Sequence, residues 1–585
     1  MYVETDETPA RMGDPGQGAP FTGAAQNSAK AVAKPVDAAV PTGGPAESGR
    51  AVGPAAQAQA AGAGKLTEIR ELSHSEILTV LSGLLLALFV SNVSGTVVSN
   101  ALPTIAASIG ATQQEYTWIV TAALLASTAS TPVWGKLADL FHKKLLLMVG
   151  LTIFAAGSLA SGASWSAGSL IASRALQGIG LGALVSLVQA IIGSIIPPRQ
   201  RGRYMAYTGA TMAIATVVGP LVGGFIVDQP WLGWRWCFWS AIPFTIIAII
   251  VLKLRLHVPY LRRDDVRVDW LGSVLITLAV SSLLIWVSFA GNEFEWNSWQ
   301  TWALVSGAVA SAVAFVFVES RARNPIIPLP ILTMRTTALA CVASIAVGVG
   351  MFGAGVFLGQ YYQLARGYSP TEAGLMTLPM MAGVMVSSLF VGRLVSRLGV
   401  WKPFVLAGAA ILGVGFLLLA TTTETSSLWL LGIYMTIAGL GVGMTMQNLV
   451  LAVQNSISMR DVGAASATVT FFRNLGGAVG IQVLGVVFSN QIASRIAGPI
   501  QAVIAKMIAA KQITAAQAQA LMAQAGAGGS LDLAKLPDPI AQIIREAYGN
   551  SVGALFAIGA GLTLVSLVAV LFMRGTRLRD KFDLS

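Results

Sequence analysis

What most constrains this chain is a series of apolar stretches, each about 20 residues long, that recurs from Ile77 almost to the C-terminus. A helix needs roughly 20 residues to cross about 30 Å of hydrocarbon, and inside lipid every backbone N–H and C=O must be satisfied within the protein. The sequence therefore demands an all-α polytopic membrane protein. Composition agrees: 55% of the 585 residues are hydrophobic, only 11% are charged, and mean hydropathy is +0.70. The net charge of +11 raises nucleic-acid binding as a possibility. Lys and Arg cluster instead in short loops between apolar runs, where they orient a protein in its bilayer, so no nucleic acid is expected.

Residues 1–74 read differently, with Ala, Gly, Pro and Gln recurring as in Pro54-Ala55-Ala56-Gln57-Ala58. Such a segment buries too little apolar surface to offset its ordering entropy, and it lacks the basic start and apolar core of a signal peptide. A disordered cytosolic tail is expected. About fourteen spans follow, at approximately 77–101, 116–134, 145–163, 167–194, 204–227, 235–253, 270–290, 301–319, 337–362, 373–392, 403–421, 427–453, 464–489 and 550–573. Alternate loops carry Lys136, Lys143 and Lys144; Arg199, Arg201 and Arg203; Lys253 to Arg267; Arg321 and Arg323; Arg393, Arg397 and Lys402; and Arg460. The opposite loops carry almost none, Arg366 being the exception. By the positive-inside rule both termini face the cytoplasm, in agreement with the basic tail Arg574, Arg577, Arg579 and Lys581.

An internal repeat organises the spans. Gly392-Arg393-Leu394-Val395-Ser396-Arg397-Leu398-Gly399 echoes Gly135 to Lys144, and Gly439-Leu440-Gly441-Val442-Gly443 echoes Gly178-Ile179-Gly180-Leu181-Gly182. This predicts an N-terminal six-helix bundle at 75–254, two inserted helices with flanking loops at 255–335, a C-terminal six-helix bundle at 336–573 and a tail at 574–585. The second bundle includes an outer segment, 490–549, where Pro499 to Ile508 has helical apolar spacing and Ile513-Thr514-Ala515-Ala516-Gln517 reads as a capped helix start, so a small helical cap over the outer opening is expected.

Five motifs in order carry a resemblance. They are the hairpin Gly135 to Lys144; Arg174-Ala175-Leu176-Gln177-Gly178-Ile179-Gly180; Gly219-Pro220-Leu221-Val222-Gly223-Gly224 with Trp234-Arg235-Trp236; Tyr361-Tyr362-Gln363 through Gly367-Tyr368-Ser369, Ala373-Gly374 and Leu378-Pro379; and Phe471-Phe472-Arg473-Asn474-Leu475-Gly476-Gly477. Over about residues 75 to 575 the chain resembles the major facilitator superfamily, and within it the fourteen-span drug:proton antiporters (EmrB/QacA-like). The resemblance implies two six-helix bundles plus two inserted helices and export of amphipathic small molecules in exchange for protons by alternating access. It also implies a multi-pass monomer in the bacterial plasma membrane.

Each motif has a physical reading. A carboxylate at Asp139, with Gly135, Lys143 and Lys144, can pair with cations or with the N-terminal amides of a neighbouring helix and so latch one conformation. Leu140 stands where the family has a basic residue and His142 where it has glycine; if that turn needs positive φ, His142 carries about 1 kcal/mol of strain. Gly219, Gly223 and Gly224 allow close approach of a neighbouring backbone, while Pro220 kinks its helix, the exporter signature. Arg174 and Arg473 lie inside spans and must face the protein interior. Two readings stand for them: a proton relay or anion contact, or a structural clamp through Gln177 and Asn474.

Ser94 occupies the place where the antiporters carry a first-span aspartate, and a serine cannot titrate. No other acid lies clearly near the bilayer centre: Glu115 and Asp228 sit at outer span ends, Asp139, Asp269 and Glu319 near inner ones. Glu115, Asp139, Arg174 and Arg473 are therefore the remaining candidates for proton relay. Without a buried carboxylate the expected substrates are neutral, monocationic or lipid-like amphiphiles, with hydrogen bonds from Ser94, Thr96, Ser99, Asn100, Gln177 and Gln360 and an adaptable lining from Met351, Met380, Met381, Met444 and Met446. Cys237 and Cys341 form no disulfide or metal framework, and no nucleophile–base or metal-spaced cluster occurs, so neither an enzyme nor a cofactor is expected. Export of a lipid or cell-envelope component, or a membrane sensor that no longer transports, are the alternatives.

Overall fold

The computed structural model describes residues 74–111, 113–229, 231–256, 268–291, 293–510, 517 and 537–580; the predicted tail, apart from its last residue, and the capped start at 513–516 lie outside them. Among the described residues fourteen long helices carry the fold: α1 (His74–Ser108), α2 (Gln113–Leu140), α3 (Lys143–Gly162), α4 (Ala167–Ile195), α5 (Pro198–Asp228), α6 (Ala241–Arg255), α7 (Trp270–Phe289), α8 (Trp299–Glu319), α9 (Arg335–Gln360), α10 (Leu378–Leu398), α11 (Lys402–Leu419), α12 (Leu428–Gln454), α13 (Val462–Ala509) and α14 (Asp538–Phe572). Thirteen candidate spans are long and apolar enough to cross a membrane; α2 is long enough but falls short in hydropathy, because Thr121, Ser127, Thr128, Ser130 and Thr131 dilute its apolar residues.

Helix partners repeat along the chain. α1 packs on α5 and α6, α2 on α4, and α3 on α4 and α6; eight helices later α9 packs on α13 and α14, α10 on α12, and α11 on α12 and α14. The glycine echo explains how. Gly178 and Gly182 of α4 lie against Ala123 and Ser127 of α2 while Gly180 meets Phe154 of α3; Gly439 and Gly443 of α12 lie against Met380 and Val384 of α10 while Gly441 meets Leu412 of α11. A side chain at any of these positions would separate two helices. Between the two sets, α5 runs along α10 and α2 along α13, and α7 joins α8 to α2 and α13.

The loops α2–α3, α4–α5, α10–α11 and α12–α13 share one face with the C-terminal tail, which ties several of them together. The Leu578 N–H donates to the Gly399 carbonyl at 2.8 Å, that of Arg579 to Asn455 Oδ1 at 3.0 Å, and that of Arg199 to the Arg579 carbonyl at 3.0 Å. Here the two echoed turns part company. Gly399 has φ +68°, whereas His142 has φ −65° and is extended, so the strain considered for His142 is absent.

The outer segment also differs from expectation. α13 does not end near 489 but continues through Pro499 to Ala509, and α14 begins at Asp538. Ile492, Ile496, Ile500 and Ile504, spaced one turn apart, are buried in one core cluster with Ile540, Ala541 and Ile544. The helical spacing at 499–508 is thus an extension of α13 packed on α14 rather than a separate cap.

Candidate functional site

Asp139 sits in the last turn of α2, where the helix meets the first turn of α13. Its Oδ1 accepts the Gly463 N–H at 2.9 Å and its Oδ2 the Ala464 N–H at 2.7 Å. These amides have no partner inside their own helix, and the positive end of the α13 dipole adds to the attraction. Lys143 and Lys136 reinforce the positive potential at the carboxylate. The approach requires two glycines: a Cβ on Gly463 would stand 2.5 Å from Asp139 Oδ1 and 2.6 Å from the Gly135 carbonyl, and one on Gly135 would strike Ala467. Lys144 takes a separate job, donating from Nζ to the Lys253 carbonyl at the end of α6 at 2.7 Å.

A second polar group lies inside the first six helices. Gln177 Nε2 donates to Ser94 Oγ at 3.0 Å and to Ser158 Oγ at 2.7 Å, its Oε1 accepts from Arg174 Nη1, and Arg174 Nε donates to the Ile119 carbonyl at 3.3 Å. One buried chain of side chains therefore joins α1, α2, α3 and α4. Its geometry is that of a clamp, and Ser94 is an acceptor within it. Arg473 contrasts with Arg174: it is equally buried, yet its Nε and Nη1 meet no acceptor.

The remaining site residues are not gathered in one place. Thr96 Oγ1 donates to the Asn92 and Val93 carbonyls of its own helix and packs on Gly219, where a Cβ could not fit. Gly223 lies against Val97, whereas Gly224 faces Thr371 and Pro220 faces Gly374. Gln360 is exposed at the end of α9, and the side chains of Ser99 and Asn100 lie outside the described ones. Glu115 is in the first turn of α2, 24 residues from Asp139 on the same helix, so the two are about 36 Å apart and cannot exchange a proton directly. Met380 and Met446 are buried in packing.

Sequence reading missed the contact between α4 and α12. Gln189 Nε2 donates to Gln447 Oε1 at 3.1 Å, and Gln454 Nε2 donates to the Gln189 carbonyl at 3.4 Å. Arg201, counted above as a loop charge, is buried and donates to the Ile196 carbonyl at 2.7 Å, to the Gly193 carbonyl and, at 3.5 Å, to the Gln454 carbonyl. Arg366 is likewise engaged, donating from Nε to Tyr361 Oη at 2.8 Å and to the Ser426 carbonyl. Glutamines within apolar runs were the available signal for the α4–α12 contact.

The sequence profile of the Major Facilitator Superfamily matches residues 84–481. An uncharacterized MFS-type transporter of Mycobacterium tuberculosis is 35% identical over 512 residues, 86% of this chain and 70% of that protein. The multidrug transporter protein MdtP of Bacillus subtilis is 32% identical, covering 88% of this chain and 96% of its own, and the efflux pump dotC of Dothistroma septosporum is 32% identical with 87% and 86% covered. Among solved structures, the proton:xylose symporter XylE aligns with a TM-score of 0.54 at 13% identity, over 87% of this chain and 98% of its own. The human organic anion transporter MFSD10 aligns with a TM-score of 0.52 at 14% identity, over 83% and 99%.

Proposed function

Because the chain belongs to the Major Facilitator Superfamily, we propose that it is a secondary active exporter that moves amphipathic small molecules out of a bacterial cell by alternating access, in exchange for protons. Residues 75–254 and 336–573 act as two six-helix bundles, with α7 and α8 inserted between them. The face bearing the basic loops and the C-terminal tail is cytoplasmic, and the protein works as a monomer.

The observation that carries this reading is the Asp139 carboxylate held by the first amides of α13. It joins helices of the two halves at one face, through bonds that open when those helices separate. Gly135, Lys143 and Lys144 serve that latch by allowing the approach, supplying potential and holding the neighbouring turn. Gly219, Pro220, Gly223 and Gly224 support the direction of transport: they seat α5 on α1 while Pro220 and Gly224 reach the segment before α10. Named efflux relatives at 32% identity support the substrate class. Ser94 and Gln177, hydrogen-bonded to each other within the first six helices, are the polar groups we assign to the substrate path, and Arg473, with orphaned donors, is available to a substrate anion or a proton relay.

Two measurements test the proposal. Expression in a drug-sensitive host should lower accumulation of amphipathic dyes; unchanged accumulation across a broad panel would favour a sensor, and altered envelope composition on deletion would favour lipid export. In proteoliposomes, substrate flux should follow an imposed pH gradient, and flux indifferent to that gradient removes proton antiport.

A further inference from the structure

Asp269 and Glu319 lie outside the latch, the clamp and the α4–α12 contact. Asp269 caps α7, its Oδ1 accepting the Gly272 N–H at 2.8 Å. Glu319 is the last residue of α8, is 2% exposed, and accepts the Ile327 N–H on Oε1. The other two oxygens, Asp269 Oδ2 and Glu319 Oε2, are buried and reach no donor. They converge on Gly272: a Cβ there would lie 2.5 Å from Asp269 Oδ2 and 3.0 Å from Glu319 Oε2.

Two ionised carboxylates in this position would repel each other, with an oxygen of each stripped of water and given nothing in return. One proton resolves both defects. It turns one group into a carboxylic acid, whose O–H donates to the carboxylate of the other in a short charge-assisted bond. Among the described residues Asp269 is the charged side chain that acts on Glu319, while Arg321 is turned onto the Phe317 ring at 3.6 Å. From the helices packed on α7, α2 brings Lys136 and Asp139, part of the latch, and α13 brings Arg473.

The linker held by Glu319 carries the consequence. Ile326 and Ile327 are buried in a cluster with Ile276 of α7, Ala129 of α2 and Phe471 of α13. We propose that Asp269 and Glu319 form a proton-binding site, in which one shared proton ties the start of α7 to the end of α8, and its loss to water frees the Ile326–Ile327 linker from the α2–α13 contact. The bond broken is the O–H between the two carboxyl groups, and the net charge of the pair goes from −1 to −2. Release is felt by α2 and α13, the helices that carry Asp139 and Gly463.

Infrared difference spectra of the full-length protein in lipid nanodiscs test this without any transport assay, so the outcome is separable from the exporter reading. At neutral pH, Glu319→Gln and Asp269→Asn should each remove the same single carboxylic-acid C=O band, because an amide at either position donates to the remaining carboxylate. In the wild type, raising the pH should remove that band and lower the hydrogen-exchange protection of the Ile327 amide, while protection in Glu319→Gln stays constant. Where a variant fails to fold, the wild-type titration decides. Absence of the band at neutral pH, its persistence in both variants, or Ile327 protection that does not respond to pH overturns the proposal.

Discussion

At the scale of single residues, two carboxylate bonds and one guanidinium clamp hold distant parts of the chain in register. A hydrogen bond to a charged acceptor is worth about 1.5–3 kcal/mol. Asp139→Asn keeps one acceptor but turns an NH2 toward the second amide, so we expect the closed form to lose roughly ten- to hundredfold in population by that same energy. Dye accumulation should rise toward that of the empty host while the amount of protein in the membrane is unchanged. Gln177→Leu should act on stability instead. It strands the Arg174 Nη1 donor inside the protein, a loss of about 1.5–3 kcal/mol, and should lower the melting temperature in detergent, whereas Gln177→Glu, which gives Arg174 a carboxylate, should lower it far less. Asp139 was legible in the sequence because an acid at the end of an apolar run has few uses. Its partners were not, since Gly463 and Ala464 lie more than 300 residues away and helical spacing records which face is buried, not which helix covers it. For the same reason Ser158 and the Ile119 carbonyl were invisible as members of the clamp.

Between elements, the crossing of α1 and α5 is the tightest test of the exporter motif. A Cβ on Gly219 would overlap Thr96 Oγ1, so Gly219→Ala should reduce both stability and export, and adding Thr96→Ala, which removes that oxygen, should restore part of each. Independent losses that simply add would show that the two helices do not meet there. The tail after α14 makes a complementary case. The Arg199–Asp580 pair measures 2.7 Å but is 47% and 68% exposed, so it contributes about 0–1 kcal/mol, while the backbone bonds to Gly399 and Asn455 do more. Deleting residues 574–585 should leave the protein folded and increase thiol labelling of a cysteine placed at Asn455. Helix existence was readable almost throughout, because runs of about 20 apolar residues have few other fates. The length of α13 was not: Pro499 suggests an end, but the isoleucines at 492, 496, 500 and 504 are buried with α14 in one core cluster and carry the helix through it.

For the whole molecule, the two sets of six helices pair internally in one pattern and meet along α5–α10 and α2–α13. Nearly all the polar bonds between the sets lie toward the face that carries the tail: Asp139 to Gly463 and Ala464, Arg201 to Gln454, and Ser396 Oγ accepting the Arg203 N–H at 2.8 Å while donating to the Gln200 carbonyl at 3.4 Å. The contacts toward the other face, Pro220 with Gly374 and Gly224 with Thr371, involve small side chains and no charge. A structure tied at one face by reversible polar bonds and at the other by light packing has the distribution expected of a molecule caught closed at the first. On the alternating-access proposal, transport requires the tied face to open in each cycle. Cysteines at Gln200 and Ser396, joined by a short thiol crosslinker, would forbid that step while leaving each set intact. Substrate flux in proteoliposomes should fall to the level of empty vesicles on crosslinking and return on reduction, with native Cys237 and Cys341 buried and out of reach. Flux that continues with the crosslink complete would mean that substrate passes without separation of α5 from α10, and the rocking of two halves would have to be abandoned for this chain.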